Sequence, residues 1–225
     1  MTAAVQRPPS KDVPVKLRLP SIVILALLAG CSRNGEIEEG GGIYTTRSAC
    51  PQVAIPAATG DVTIFDPADS KTASAIDVAA AMTNVRSTCQ DTGSQIISTA
   101  TFDVVATRRN PGEARQVLLP YFDAVLQAGD TVVAKRIGQV ALNFPAGSLR
   151  AQTRGQATVR IDRSAATLPE NVRQLLNAPR KVGEAEAAVD PMSDPVVRAA
   201  VAKASFAHVI GYELTAEQLR YNATR

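Results

Sequence analysis

The feature that most constrains the fold of this chain is a strict polar and apolar alternation across residues 150–162. Polar side chains occupy every even position, and small or β-branched side chains occupy every odd position. Because successive side chains of a β-strand point to opposite faces, the pattern predicts a strand with one buried face and one solvated face. A half-buried strand of this kind is typical of an antiparallel sheet.

The solvated face of this strand carries Arg150, Arg154 and Arg160, which permit two interpretations. Three guanidinium groups could grip an anionic partner such as a lipid headgroup or a glycan. Alternatively, the charges protect an edge strand from pairing with the sheet of another molecule. We favour the edge strand and keep the anionic ligand as the alternative.

Further strand signals, rich in β-branched residues and separated by turn residues, occur across the body of the chain. They cover residues 61–65, 76–89, 96–107, 117–126, 131–144 and 206–214. After the last of them, Thr215 and Gln218 match a capping box, which predicts a short C-terminal helix. Seven or eight short strands with few crossover helices predict a mainly-β chain, folded as an antiparallel β-sandwich that is immunoglobulin-like in size.

Residues 164–204 differ in composition and predict a helical insertion before the last strand. Helical spacing is found over 168–176, and a second helix is expected to begin at Pro195 with Asp194 as its cap. The intervening residues 181–191 are charged and alanine-rich, and we expect them to be mobile. The expected apolar stripe of the second helix is Val196, Val197, Ala200 and Val201.

The first thirty residues read as an export signal. A basic segment precedes nine apolar or small residues, 22–30, whose helix would be only about 14 Å long, too short to span a bilayer. We therefore predict a secretory signal peptide over 1–30. This segment holds four of the 24 basic residues and one of the 21 acidic residues. Without it the chain is close to neutral, which removes the electrostatic case for nucleic-acid binding.

The segment Leu28-Ala29-Gly30-Cys31 ends the apolar run and resembles the lipobox of bacterial lipoproteins. The resemblance implies diacylation of the Cys31 sulfur, cleavage between Gly30 and Cys31, and acylation of the new amino group. Two or three acyl chains would anchor the protein to a membrane, because each buried methylene contributes about 0.8 kcal/mol. The residue after Cys31 is Ser32 rather than an aspartate. By the resemblance to lipoproteins of two-membrane bacteria, this residue implies localisation at the periplasmic face of the outer membrane. The alternative is an ordinary signal peptide with a chance cysteine.

Residues 31–48 are interpreted as a flexible tether between this anchor and a domain at 49–225. The segment contains Glu36, Glu38 and Glu39, followed by three consecutive glycines at 40–42. Glycine gives the chain conformational freedom, and the acidic cluster resists packing. No strand precedes the glycines and no Lys-Ser or Lys-Thr follows them, so they do not read as a phosphate-binding loop.

The chain has three cysteines, Cys31, Cys50 and Cys89. If Cys31 carries lipid, Cys50 and Cys89 remain as the pair that could form an intramolecular disulfide in an oxidising compartment. Two buried free thiols are the alternative. A metal pair is less favoured because no further soft ligand lies near them in sequence.

The body of the chain resembles a family of small alphaproteobacterial lipoproteins of unassigned function. The resemblance rests on Ala49-Cys50-Pro51, on Leu119-Pro120-Tyr121-Phe122, on residues 211–222 and on Cys89. The chain departs from the family pattern in the helical stretch 164–204. The resemblance implies no activity.

The sequence offers little material for catalysis. His208 is the sole histidine, so a two-histidine metal motif is impossible and any serine–histidine–acid triad would have to use it. No G-x-S-x-G turn is present, and by parity His208 shares a strand face with Phe206 and Ile210, as a packed residue would. Loop carboxylates are the remaining candidates for a hydrolase, namely Asp61, Asp66, Asp69, Asp77 and Asp91.

We therefore predict no catalytic residue, no cofactor and no metal. The leading hypothesis is a lipid-anchored structural or protein-interaction module of the cell envelope, bound to the membrane through Cys31 and possessing an envelope protein partner. The alternative is a periplasmic module that binds an anionic lipid or glycan, through the 150–160 face or the 164–204 insertion. A hydrolase built on loop carboxylates is the third hypothesis.

Overall fold

The computed structural model describes residues 48–178 and 189–224. The predicted signal peptide, the lipidation site Cys31 and the tether up to residue 47 lie outside the described residues, and so does most of segment 181–191. Within the described ranges the chain forms eight β-strands and three α-helices.

The strands form two four-stranded sheets that pack face to face, so the prediction of a mainly-β sandwich is confirmed. Sheet I has the strand order β1-β8-β5-β6, and sheet II has the order β2-β3-β4-β7. The strands are β1 (Gln52–Ala54), β2 (Asp61–Phe65), β3 (Ile76–Asp91), β4 (Gln95–Arg108), β5 (Arg115–Gln127), β6 (Thr131–Phe144), β7 (Arg150–Asp162) and β8 (Phe206–Tyr212).

Paired strands run antiparallel throughout the described sheets except at one edge. There the three-residue strand β1 lies parallel to β8, with Val53 opposite His208. This strand was not predicted, because three residues are too few to establish a period.

Residues 150–162 form strand β7, so the strand predicted from their alternation is confirmed. It pairs with β4 in one unbroken register, from Thr107 opposite Arg150 to Gln95 opposite Asp162. Its odd positions face the core and most are buried, whereas its even positions face outward. Strand β7 also forms an edge of sheet II, as the favoured interpretation of its arginines required.

The core lies between the inward faces of the two sheets. Its largest cluster joins Phe102 and Val104 of β4 to Leu119, Leu142 and other apolar residues of sheet I. Gly155 of β7 lies directly under the Phe102 ring, where an added Cβ would come within 2.3 Å of the ring. Glycine is therefore required at position 155 by the close packing of that aromatic side chain.

The helical insertion and the C-terminal helix are both present. The helices are α1 (Glu170–Asn177), α2 (Pro195–Lys203) and α3 (Ala216–Thr224). The Asp194 side chain accepts a hydrogen bond from the Val196 amide, as predicted for the cap of α2. The prediction that Val196 belongs to the apolar stripe is wrong: it is 69% exposed, whereas Val197 is 3% exposed. Successive helical residues are turned by about 100°, so only one of the two can face the domain.

A disulfide between Cys50 and Cys89 connects the two sheets. Cys50 precedes the edge strand β1 of sheet I, and Cys89 lies near the end of β3 in sheet II. The predicted pairing is thus confirmed.

Candidate functional site: a groove on the outer face of sheet II

An open groove of about 670 Å³ crosses the outer face of sheet II, over all four of its strands. Two rows of residues, paired across the strands and facing away from the core, line it. The rows are Asp61–Ala81–Val105–Gln152 and Thr63–Ala79–Thr107–Arg150.

The groove exists because its central strand presents short side chains. Ala79 and Ala81 of β3 form the floor, and Val105 of β4 continues it with 38% of its surface exposed. The residues between these, including Ala80, point inward and belong to the core. None of the lining residues is aromatic. The floor is therefore aliphatic, open to solvent and built on a fully paired sheet.

Helix α3 supports the groove at its β2 side. The ring of Tyr221 stands edge-on to the Phe65 ring of β2, with 5.2 Å between centroids. The Asn222 amide donates hydrogen bonds to the carbonyl of Ala58, at 3.0 Å, and to that of Asp61, at 2.7 Å. Because α3 is held to both ends of this segment, β2 does not depend on its single strand partner alone for its position.

Arg150 supplies the positive charge of the groove, at the β7 side. Its side chain is exposed and, within the described residues, its guanidinium has no hydrogen-bond or ion-pair partner. The guanidinium is therefore available to an incoming anion.

The other two arginines of this face do not join Arg150. Arg154 contacts Asp103 of β4, with 3.1 Å between Nε and Oδ1. The amide of Asn84 and the guanidinium of Arg154 lower the pKa of Asp103 by hydrogen bonding to its carboxylate. Arg160 lies about 33 Å along the strand from Arg150, at roughly 3.3 Å per residue. The structure thus separates the predicted basic face into single charges, one of which lines the groove.

A second polar cluster, the buried polar chain, consists of Ser98, His208 and Asp123 inside the core and of Arg136, which is exposed at the edge of the sheet. The Ser98 hydroxyl and His208 Nδ1 share a hydrogen bond of 3.0 Å. His208 Nε2 lies 3.2 Å from Asp123 Oδ1, without the alignment of a hydrogen bond. Arg136 donates to Asp123 Oδ2 at 3.0 Å and to the Thr158 carbonyl. The chain therefore runs from β4 through β8 and β5 to the open edge at β6.

The composition of this cluster resembles a catalytic triad, but its arrangement does not. Ser98 and His208 each have 0% of their surface exposed, so a substrate cannot reach the hydroxyl in this structure. The imidazole also presents Nδ1 to the serine and Nε2 to the acid, which is the reverse of the triad geometry. The contacts instead join sheet I to sheet II, and they agree with the interpretation of His208 as a packed residue.

Arg108, at the end of β4, is a further buried polar residue and is 6% exposed. Its guanidinium donates to the carbonyls of Ser148, Glu113, Gly112 and Pro145, at 2.7 to 3.0 Å. These carbonyls belong to the loops on either side of the β5–β6 hairpin. Arg108 therefore closes one end of the sandwich.

The candidate carboxylates do not all gather at one place, although Asp66 and Asp77 both interact electrostatically with Arg115. Asp77 is held by Arg115, with 2.6 Å between Oδ2 and Nη2, and Asp91 by Arg163, with 2.8 Å between Oδ2 and Nε. These two acids are separated by most of the length of β3, on the order of 45 Å of strand. Asp61 lines the groove alone among the five. Among the described residues, no three His, Cys, Asp or Glu side chains are grouped so as to hold a metal.

Neither the groove nor the buried polar chain was predicted from the sequence. A signal for the chain existed, because the parity that places Ile96 and Ala100 inward also places Ser98 inward. A polar residue at a core position requires a partner. The groove had a weaker signal in Ala79 and Ala81, whose small size on the solvated face leaves space.

No family model, curated protein or solved structure matches this chain. Within the described ranges, no helix is both long enough and apolar enough to cross a bilayer.

Proposed function

We propose that this protein is a lipid-anchored module of the bacterial cell envelope, held at the periplasmic face of the outer membrane through Cys31. In this proposal the β-sandwich acts as a structural or protein-interaction domain, and residues 32–48 separate it from the membrane surface.

The Cys50–Cys89 disulfide is the observation that carries this proposal. Structural disulfides persist in oxidising compartments and are rare in the bacterial cytosol, so the bond supports an exported domain. With Cys50 and Cys89 paired, Cys31 is the one cysteine left for a thioether-linked lipid. Its position at the end of a short apolar run agrees with that role.

The site of the disulfide also suits an anchored module. The chain leaves the proposed tether at Ser48 and is bonded to β3 only two residues later. Any pull on the tether is thus transmitted to both sheets rather than to the short edge strand β1. We infer that the bond keeps the short edge strand β1 from being detached from the sandwich when the tether is under tension.

Membrane fractionation of Cys31→Ser and wild-type cells tests the anchor. Wild-type protein should sediment with the envelope after washing with high salt, because acyl chains are insensitive to ionic strength. The Cys31→Ser variant should appear in the soluble fraction. Ser32→Ala, a change at the adjacent residue that keeps the thiol, serves as the matched control and should sediment like wild type. Sedimentation with the envelope of a Cys31→Ser chain from which residues 1–30 have been removed would overturn the proposal.

A further inference from the structure

We propose that the groove on the outer face of sheet II binds a single-chain aliphatic carboxylate, with its carboxylate at Arg150 and its chain along Ala79, Ala81 and Val105. This inference concerns the folded domain alone and does not depend on the lipid anchor.

The shape of the groove favours one chain lying across the strands. Its volume of about 670 Å³ falls in the range of small-molecule sites. From β2 to β7 it crosses three inter-strand spacings, about 14 Å, which is roughly the extended length of a chain of ten to twelve carbons. A ligand of this length could lie against the floor while its end reaches Arg150.

The chemistry of the lining selects an aliphatic ligand over a sugar. Rings of sugars and bases are commonly bound by stacking on aromatic side chains, and the lining contains none. The methyl groups of Ala79, Ala81 and Val105 offer apolar surface that is already exposed to water. Covering this surface with an alkyl chain is favourable through the hydrophobic effect.

The charge distribution orients the ligand and limits its charge. Arg150 is exposed and without an ion-pair partner among the described residues, and its planar guanidinium matches a carboxylate in two parallel hydrogen bonds. Asp61 occupies the opposite edge of the groove, where it disfavours a second anionic group. One cation at one end matches a monoanion better than a phosphate dianion.

The test is calorimetric titration of the full chain carrying Cys31→Ser with laurate, below the concentration at which laurate forms micelles. We expect saturable binding of one laurate per chain. Arg150→Gln should weaken it at least about tenfold, the effect of losing one charge-assisted pair. Arg160→Gln, which removes an equivalent charge from the same face of β7 outside the groove, is the matched control and should bind like the parent. Equal weakening by both substitutions would overturn the proposal.

Two further arms test the floor and the headgroup. Ala81→Leu fills the groove and should abolish binding; Val105→Glu, an exposed site that tolerates a polar side chain, should do the same by repelling the anion. Dodecyl phosphate should bind more weakly than laurate. Absence of saturable laurate binding, unchanged binding by folded Ala81→Leu or Val105→Glu, or tighter binding of dodecyl phosphate would each contradict the assignment.

Discussion

Nδ1 of His208 lies 3.0 Å from the hydroxyl of Ser98, and this contact crosses the core from β8 of sheet I to β4 of sheet II. Both side chains are fully buried. A hydrogen bond at such a position helps to specify how the two sheets face each other, because breaking it would leave both nitrogens of the buried imidazole without a hydrogen bond.

Ser98→Ala is therefore expected to destabilise the domain although it removes a single oxygen atom. Loss of the hydroxyl leaves Nδ1 of His208 buried without its partner, at a cost of about 1–3 kcal/mol. Urea unfolding measures this as a lower transition midpoint. Ser87→Ala, at an exposed position of β3, is the control and should leave the midpoint unchanged. Equal midpoints for the two variants would show that the contact contributes nothing.

Gly155→Ala tests the packing of Phe102 on β7. The new methyl would lie 2.3 Å from the ring, so ring or strand must shift, with an expected loss of about 1–3 kcal/mol. Gly112→Ala, where an added Cβ would meet no neighbouring atom within 4 Å, should be nearly neutral. In a Phe102→Leu background the cost of Gly155→Ala should fall, because the smaller side chain leaves room. An undiminished cost in that background would place the strain elsewhere.

The sequence alone predicted individual strands but not these contacts between the sheets. The two-residue period predicted β4 and β7, because side-chain polarity alternates along a strand that has one buried face and one solvated face. No local pattern could identify the partner of Ser98, because His208 is 110 residues away in sequence and belongs to the other sheet. Strand β1 was missed for a related reason, since its position depends on β8 and on the disulfide.

The groove also could not be predicted from the sequence, for a different physical reason. Small side chains at Ala79 and Ala81 are visible in the chain, but a groove requires their alignment with Val105 and Gln152. That alignment is a matter of register between strands that lie far apart in sequence. Arg150 and Arg160 do share the outward face of β7, as the sequence indicated, but ten residues of strand, about 33 Å, separate them.

Tyr212→Phe should keep or raise the stability of the domain at pH 7. The hydroxyl is buried and, among the described residues, has no hydrogen-bond partner, so its removal relieves a desolvation penalty. Tyr121→Phe is the contrasting control: the Tyr121 hydroxyl donates to the Gln156 carbonyl at 3.0 Å, and its loss should cost about 1 kcal/mol. A Tyr212→Phe variant less stable than wild type would reveal a partner for that hydroxyl.

The same tyrosine predicts a dependence on alkaline pH. Burial raises the pKa of Tyr212 above the ordinary value of 10.0. Above that pH the unfolded chain loses the proton while the folded chain keeps it, so the free energy of unfolding should fall as pH rises. Tyr212→Phe should show a smaller fall between pH 9 and 11 in urea titrations. Identical pH profiles for the two proteins would contradict this assignment.

Removal of the disulfide should destabilise the domain through the unfolded state. The bond joins residues 39 apart in sequence, and on the chain-entropy model its loss costs about 4 kcal/mol. Cys50→Ser and Cys89→Ser remove the same cross-link and should lower stability by similar amounts. Thiol alkylation of the unfolded wild-type protein without reductant should modify neither cysteine; modification of both would show that the bond is absent.

Lipid attachment at Cys31 is best tested by the intact mass of the protein purified from its native membrane. We expect the N-terminal residue to be Cys31, carrying a diacylglyceryl group on sulfur, with residues 1–30 removed. An unmodified chain that retains residues 1–30, or one cleaved at another position with a free Cys31 thiol, would contradict it.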